Sequence, residues 1–307
     1  MRAEPFRCSS LSVELEEPMF GTASTATNWI LVEQPGPWGW DAIRQSRLSR
    51  DVAVALKSVV RELAIRVVLI RRPGGRATSR GRHCYLIHSG PDAPWMEHAV
   101  LGRLADLLDA NLEAFAADRP TGLGAMETDP LFLVCTNGAR DTCCAERGRP
   151  LAAALEKEYA DRIWESSHIG GDRFAPNLVC LPDGLYFGRV APEDGARIAH
   201  QVEAGVLDLD HYRGRSCYPF EVQAAEYFAR REWNLTHVED LRPIRRDDVG
   251  PGEIDVEFES RTDRRLMVRL KIEPAEPPRL LTCKSTSVSR PPRYEVLDQP
   301  VPGGPRP

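Results

Sequence analysis

The chain has 307 residues, 42% hydrophobic and 28% charged, enough to bury a substantial core in one large or two moderate domains. A formal net charge of −5 argues against a sequence-independent grip on nucleic acid, and no apolar run reaches the roughly 18 residues of a membrane span. The opening MRAEPFRCSSLSVELEE lacks the apolar centre of a secretory signal, so the expected compartment is the cytoplasm.

Trp29-Ile30-Leu31-Val32, Val67-Val68-Leu69-Ile70 and Cys84-Tyr85-Leu86-Ile87 read as buried strands, punctuated by the turn words PGPWG, RRPGG and HSGPDAP. From Trp95 to Ala117, Met96, Val100, Leu101, Leu104, Leu107, Leu108, Leu112 and Phe115 fall at helical spacing, which predicts one amphipathic helix. A second cycle opens with the strand Leu131–Val134 and enters a helix near Pro150, where proline suits a first turn. Asn177–Cys180 and Leu185–Val190 form a hairpin about Pro182-Asp183-Gly184, followed by helices over about 192–203 and 219–233.

Residues 242–252 are charged and hold Pro243, Gly250, Pro251 and Gly252, the composition of a linker. Beyond it Ile254–Phe258 alternates and Leu266–Leu270 is strand-like, predicting a small β appendage, while VPGGPRP reads as a disordered end. The class is therefore α/β. The division that follows is an N-terminal α/β domain (1–125), a second domain (126–241), the appendage (253–297) and a disordered tail (298–307).

Eight cysteines are sparse for a disulfide scaffold, and clustered cysteines in a reducing compartment bind metal or do redox work. Cys135 ends an apolar strand and is separated by eight residues from Cys144; His168 and Asp172 follow with three residues between them. Four candidate ligands thus fall in two close pairs, each in a loop. Cys84, Cys180 and Cys283, each in or ending an apolar run, read as core residues. Gly170 and Gly171 give the second loop freedom for φ > 0 or for close approach to a bulky group. Arg140, Arg173, Arg147 and Arg149 flank the loops, as solvated surface or as an electrostatic match to an acidic partner.

The words CTNGARDTC, HIGGD, RFAPN and LPDGLYFGRV, with GTASTATNWILVEQPGPWGWDAI near the start, resemble the sucrase/ferredoxin-like family over about residues 8–235. The resemblance implies a thioredoxin-like ferredoxin domain, preceded by the second α/β domain, and a [2Fe–2S] cluster. Carried over by position, Cys135 and Cys144 hold one iron and His168 the other. The fourth ligand matches position 172, where two-histidine members have His and this chain has Asp172. Carboxylate is a harder ligand than is usual for such a cluster, so Cys143 and Cys180 stand as alternatives.

No phosphate loop, GxSxG elbow, HExxH or GxGxxG after a strand is present, and Glu156, Glu158 and Asp161 read as a solvated helical face rather than glycosidase carboxylates. The favoured function is single-electron exchange with a redox partner protein, without nucleic acid or membrane. Two other readings use the same residues: a thioredoxin-like thiol enzyme working through Cys143 and Cys144, and a structural zinc on Cys135, Cys144, His168 and Asp172. Trp38 and Trp40 offer a docking surface, or pack on their own domain.

Overall fold

Strand pairing sorts the chain into two sheets in the computed structural model, which describes residues 5–75, 81–297 and 301–302. After α1 (Cys8–Glu14), the first half runs β1 (Asn28–Glu33), α2 (Ala42–Gln45), α3 (Arg50–Glu62), β2 (Arg66–Arg71), β3 (Arg82–His88), β4 (Trp95–Leu101), α4 (Leu112–Ala116) and β5 (Ala125–Glu127). The second half runs β6 (Leu131–Cys135), α5 (Thr142–Tyr159), β7 (Ile163–Ser166), β8 (Leu178–Leu181), β9 (Leu185–Phe187), α6 (Pro192–Glu203), β10 (Tyr212–Arg215) and α7 (Phe220–Trp233). These strands make one sheet in the order β10-β9-β8-β6-β7-β2-β1-β3-β4-β5.

In the second half β6 and β7 are parallel and linked through α5, β8 lies antiparallel beside β6, and β9 antiparallel beside β8. That connectivity is thioredoxin-like. The first half repeats it: β1 and β2 are parallel through α3, β3 is antiparallel to β1, and β4 antiparallel to β3. The two units meet edge to edge where β2 pairs antiparallel with β7, Ile70 opposite Ser166. Glu33 pairs with Ile70 as Cys135 pairs with Ser166, so Ile70 and Ser166 are equivalent residues facing each other across a pseudo-twofold axis.

Both faces of this sheet are covered, which is why its central strands are unbroken apolar runs rather than alternating ones. On one face Phe132, Val134, Leu178 and Cys180 pack with Leu151 and Leu155 of α5 and Ile198 of α6. On the other, Leu133, Cys135, Trp164 and Tyr186 join Trp29, Leu31, Val68 and Ile70 in one core that crosses the seam. A separate core sits under α3, with Ile30, Val32, Leu56, Leu69 and Leu86.

The small C-terminal sheet is antiparallel, β11 (Leu241–Gly250), β12 (Glu253–Ser260), β13 (Arg265–Pro274) and β14 (Pro292–Val296), with β15 (Val301–Pro302) beside β13. Its apolar face, including Val256, Phe258, Val268 and Leu270, packs on Val222, Ala225 and Ala229 of α7.

Three expectations are corrected. Residues 95–117 are not one helix: Trp95–Leu101 is strand β4, paired along its length with β3, and only 112–116 is α-helical. Residues 242–252 are not a linker but mostly β11, an edge strand whose charges face solvent, a usual protection of a sheet edge. Helix α5 begins not near Pro150 but at Thr142, capped by Asp141, and Pro150 lies exposed inside it. Of the tail expected to be disordered, Val301–Pro302 pair with Leu266 and Met267; residues 298–300 and 303–307 lie outside the described residues.

Candidate functional site

Strand β6 delivers Cys135 to its C-terminal end, and the loop that follows turns back into α5. The Asp141 side chain caps that helix by accepting from the Cys143 N–H at 2.9 Å, which fixes Cys144 in the first turn. Gly148, one turn on, lets α5 lie against the strand end: a Cβ there would stand 2.2 Å from the Cys135 carbonyl oxygen. Strand β7, parallel to β6, ends at Ser166 and runs directly into His168-Ile169-Gly170-Gly171-Asp172. The two candidate loops therefore share the C-terminal edge of parallel strands, the usual place for a site in an open α/β sheet.

The sulfurs of Cys135 and Cys144 and a ring nitrogen of His168 all lie within 4.8 Å of one another. Asp172 adjoins this group of three without belonging to it. Its Oδ1 accepts from the Cys144 thiol at 3.1 Å and lies 3.0 Å from His168 Nδ1. Nδ1 is buried, with the Asp172 carboxylate as its neighbour. Cys135, Cys144 and Asp172 are buried, whereas the His168 side chain is 27% exposed and forms the solvent edge of the site.

These groups share protons. Contact with the Cys144 sulfur outweighs burial and, with His168, brings Cys135 down to about 5. The same contact, then burial, pushes Cys144 well up. Burial opposes charge on His168, but Asp172 and Cys135 overcome it and raise the imidazole to about 9. Asp172, also opposed by burial, is held below the usual carboxylate range by His168 and Cys144. Two sulfurs, an imidazole and a carboxylate at one buried point form a donor set for a metal or iron–sulfur group.

The other candidate ligands lie elsewhere. Cys180 packs on the opposite face of the sheet from Cys135, among core residues with Cys84 similarly buried in the first half. The Cys143 sulfur points to Cys8, at 3.7 Å, and Cys283, at 3.4 Å. Cys283 is therefore not the end of a core strand but sits in the irregular connection between β13 and β14.

Sequence reasoning missed the buttress of the second loop. Arg213 is fully buried; it donates to Asn177 Oδ1 at 2.7 Å, Gly170 O at 3.3 Å and Thr22 O at 2.5 Å, while Asn177 donates to Gly171 O at 2.8 Å. Burial pulls this guanidinium down to about 9. Gly170 and Gly171 have φ of 95° and 79°, and a Cβ would meet Ser24 Oγ at 2.0 Å or the Arg213 guanidinium at 2.3 Å. The close approach they permit is thus to protein groups. The RFAPN word contains Asn177, but nothing in the sequence links it to an arginine 36 residues on.

Of the flanking arginines, Arg173 is paired with Glu17 at 2.8 Å, Arg147 reaches Ser10, and Arg149 is exposed. Arg140 lies over the Trp40 ring at 3.8 Å, and Trp40 is 54% exposed beside the cysteine loop. Trp38 is buried and donates to Gln34 O.

Among the described residues no helix is long and apolar enough to cross a membrane. Curated relatives share part of the chain. Altered inheritance of mitochondria protein 32 of Meyerozyma guilliermondii is 33% identical over 98 residues, 28% of this chain and 35% of the relative. Its Saccharomyces cerevisiae counterpart is 31% identical over 96 residues, 27% and 31% respectively. The chain thus spans about a third of the length of these relatives.

Among solved structures, the thioredoxin-like [2Fe–2S] ferredoxin from Aquifex aeolicus is similar at 18% identity and TM-score 0.27, over 30% of this chain and 97% of that one. A cysteine-to-serine variant of it gives 22% and 0.25, over 27% and 96%. Residues 19–214, well over half of the sequence, match the sucrase/ferredoxin-like family, and the chain belongs to that family.

Proposed function

We propose that this chain is an iron–sulfur electron-transfer protein, holding a [2Fe–2S] cluster through Cys135, Cys144, His168 and Asp172 and exchanging single electrons with a redox partner protein in the cytoplasm. The observation that carries the reading is the convergence of two sulfurs and an imidazole nitrogen within 4.8 Å of one another at the ends of β6 and β7, with the Asp172 carboxylate beside them. When bound, such a cluster supplies a one-electron couple whose potential follows ligand type, net charge and exposure.

The chain's own residues divide the remaining work. Cys135 and Cys144 provide soft donors from a strand end and a helix start that Gly148 holds together. Asp172 orients both Cys144 and His168. His168, at the solvent edge, is where a proton on the imidazole can exchange while the sulfurs stay dry. Exposed Trp40, with half-buried Arg140 over its ring beside the first loop, forms the surface a partner would meet.

The test is iron, sulfide and visible absorption on protein purified without oxygen, comparing the parent with His168→Ala and Asp172→Ala. The expected result is two irons and two sulfides per chain, broad visible bands, and a spectrum altered by His168→Ala; a change with Asp172→Ala makes it the fourth ligand. A midpoint potential that falls with rising pH and loses this dependence in His168→Ala fits the proton role. Colourless protein after cluster reconstitution ends the reading; metal retained as zinc on these residues would replace it.

A further inference from the structure

We propose a second metal site, a structural zinc held by Cys8, Cys143, Cys283 and Asp141, separate from the cluster site. Four donors from three distant segments meet here: the first residue of α1, the cap and first turn of α5, and the long connection between β13 and β14. The sulfurs form a nearly equilateral triangle, Cys8 to Cys143 3.7 Å, Cys143 to Cys283 3.4 Å and Cys283 to Cys8 3.6 Å. Asp141 Oδ2 lies 3.6 Å from Cys8 Sγ and completes the fourth corner.

These edges match one tetrahedral ion. Zinc–sulfur bonds of about 2.3 Å at tetrahedral angles set sulfurs about 3.8 Å apart, and a zinc–oxygen bond of about 2.0 Å sets sulfur to oxygen at about 3.5 Å. Three thiolates with one carboxylate suit zinc.

The surroundings support ligands rather than core filler. Apart from Ala175, the small core here consists of the three cysteines themselves, sulfur against sulfur with little hydrocarbon to bury. Asp141 is oriented by two backbone donors, Cys143 N–H on Oδ1 at 2.9 Å and Cys283 N–H on Oδ2 at 2.6 Å. The Cys8 N–H points at the Cys283 sulfur at 3.4 Å, the kind of second contact that tunes a metal thiolate. Residues 275–291 contain no helix or strand, and a connection of that length is unusual unless something anchors it. Adjacent cysteines thus serve different centres: Cys144 faces His168 and Asp172, Cys143 faces Cys8 and Cys283.

The experiment measures zinc and iron together on the full chain, for the parent, Cys283→Ser, Cys8→Ser, His168→Ala and, as control, Cys217→Ala. One zinc per chain is expected in the parent, in Cys217→Ala and in His168→Ala, with zinc falling to background in Cys283→Ser and Cys8→Ser. The iron colour should survive Cys283→Ser, so loss of one centre is read independently of the other. Should the serine variants fail to fold, cobalt added to chelator-treated parent replaces them: thiolate-to-cobalt charge transfer with tetrahedral visible bands is expected. A parent without zinc that also gives no such bands overturns the proposal, as does iron at these cysteines or zinc lost with His168→Ala but kept in Cys283→Ser.

Discussion

The two halves of the large sheet carry the same strand order and different chemistry. By register, Glu33 occupies in the first half the place of Cys135 in the second, and counting on from Ile70 and Ser166 puts Arg72 at the place of His168 and Gly74-Gly75 at that of Gly170-Gly171. Even the positive φ angles repeat, 72° and 73° against 95° and 79°. Yet Glu33 accepts from the His83 N–H, and Arg72 lies over the Trp164 ring at 3.7 Å and donates to Ala160 and Ile163 of the other half. One unit presents candidate ligands where the other braces its neighbour. A repeated backbone does not bring a repeated site; the chemistry rests on which side chains stand at the strand ends.

The largest test of this asymmetry is Arg213→Met, which removes the brace that ties the second half's loop to Thr22. The Asn177, Gly170 and Thr22 acceptors lose a charged donor at roughly 1–3 kcal/mol each, so a loss of at least about 3 kcal/mol is expected in urea denaturation. A loss under about 1 kcal/mol would mean the loop does not depend on its buttress. Next come the matched glycines. Gly171→Ala meets the Arg213 guanidinium and should cost about 3 kcal/mol from overpacking and left-handed backbone together. Gly75→Ala meets nothing within 4 Å and should cost about 1 kcal/mol for its backbone alone. Equal costs by thermal denaturation would extend the equivalence of the loops to their packing.

Glu17 joins the second half to the small sheet's long connection, pairing with Arg173 and Arg279, both at 2.8 Å. Burial works against its charge, but the two arginines hold its pKa below the usual 4.5. A lowered carboxyl pKa contributes stability that is complete above 4.5 and disappears as pH falls through the folded value. Glu17→Gln should cost about 2 kcal/mol at neutral pH, and its difference from the parent should shrink in acid below pH 4.5. A difference that is flat with pH would show that the pairs contribute nothing. The smallest effect is expected from Trp40→Ala, about 0.5–1 kcal/mol, since the stack on Arg140 is solvated. If it leaves stability intact but slows reduction by a partner, the exposed indole belongs to docking.

Sequence reading succeeded where local signals agreed. Pro192 at the start of α6 and Pro182-Asp183-Gly184 between β8 and β9 mark boundaries through their own backbone preferences. The first ligand loop was legible because Cys135 ends an apolar run, whereas β7 (Ile163–Ser166), which carries the second loop, is a short strand with a charged residue and gave no strand signal. Reading failed where a distant partner decided the outcome. Met96, Val100 and Leu101 have helical spacing, but pairing with β3 takes them into a strand and leaves Val100 exposed. β11 looked like a linker because an edge strand can carry charge along its exposed side. Cys8 and Cys283 offer no local sign of each other, nor does Arg213 of the loop it braces.

The separation between Cys8 and Cys283 also has a bearing on synthesis. They are 275 residues apart, so at about 5–20 residues per second the first thiol waits roughly 14–55 s on the ribosome's schedule before the other is even made. Cys8 and Cys143 can meet earlier, but their third companion emerges 140 residues after Cys143. The contact therefore distinguishes a chain made past Cys283 from one halted before it, and a nascent chain that has already folded its large sheet must keep α1 available until then.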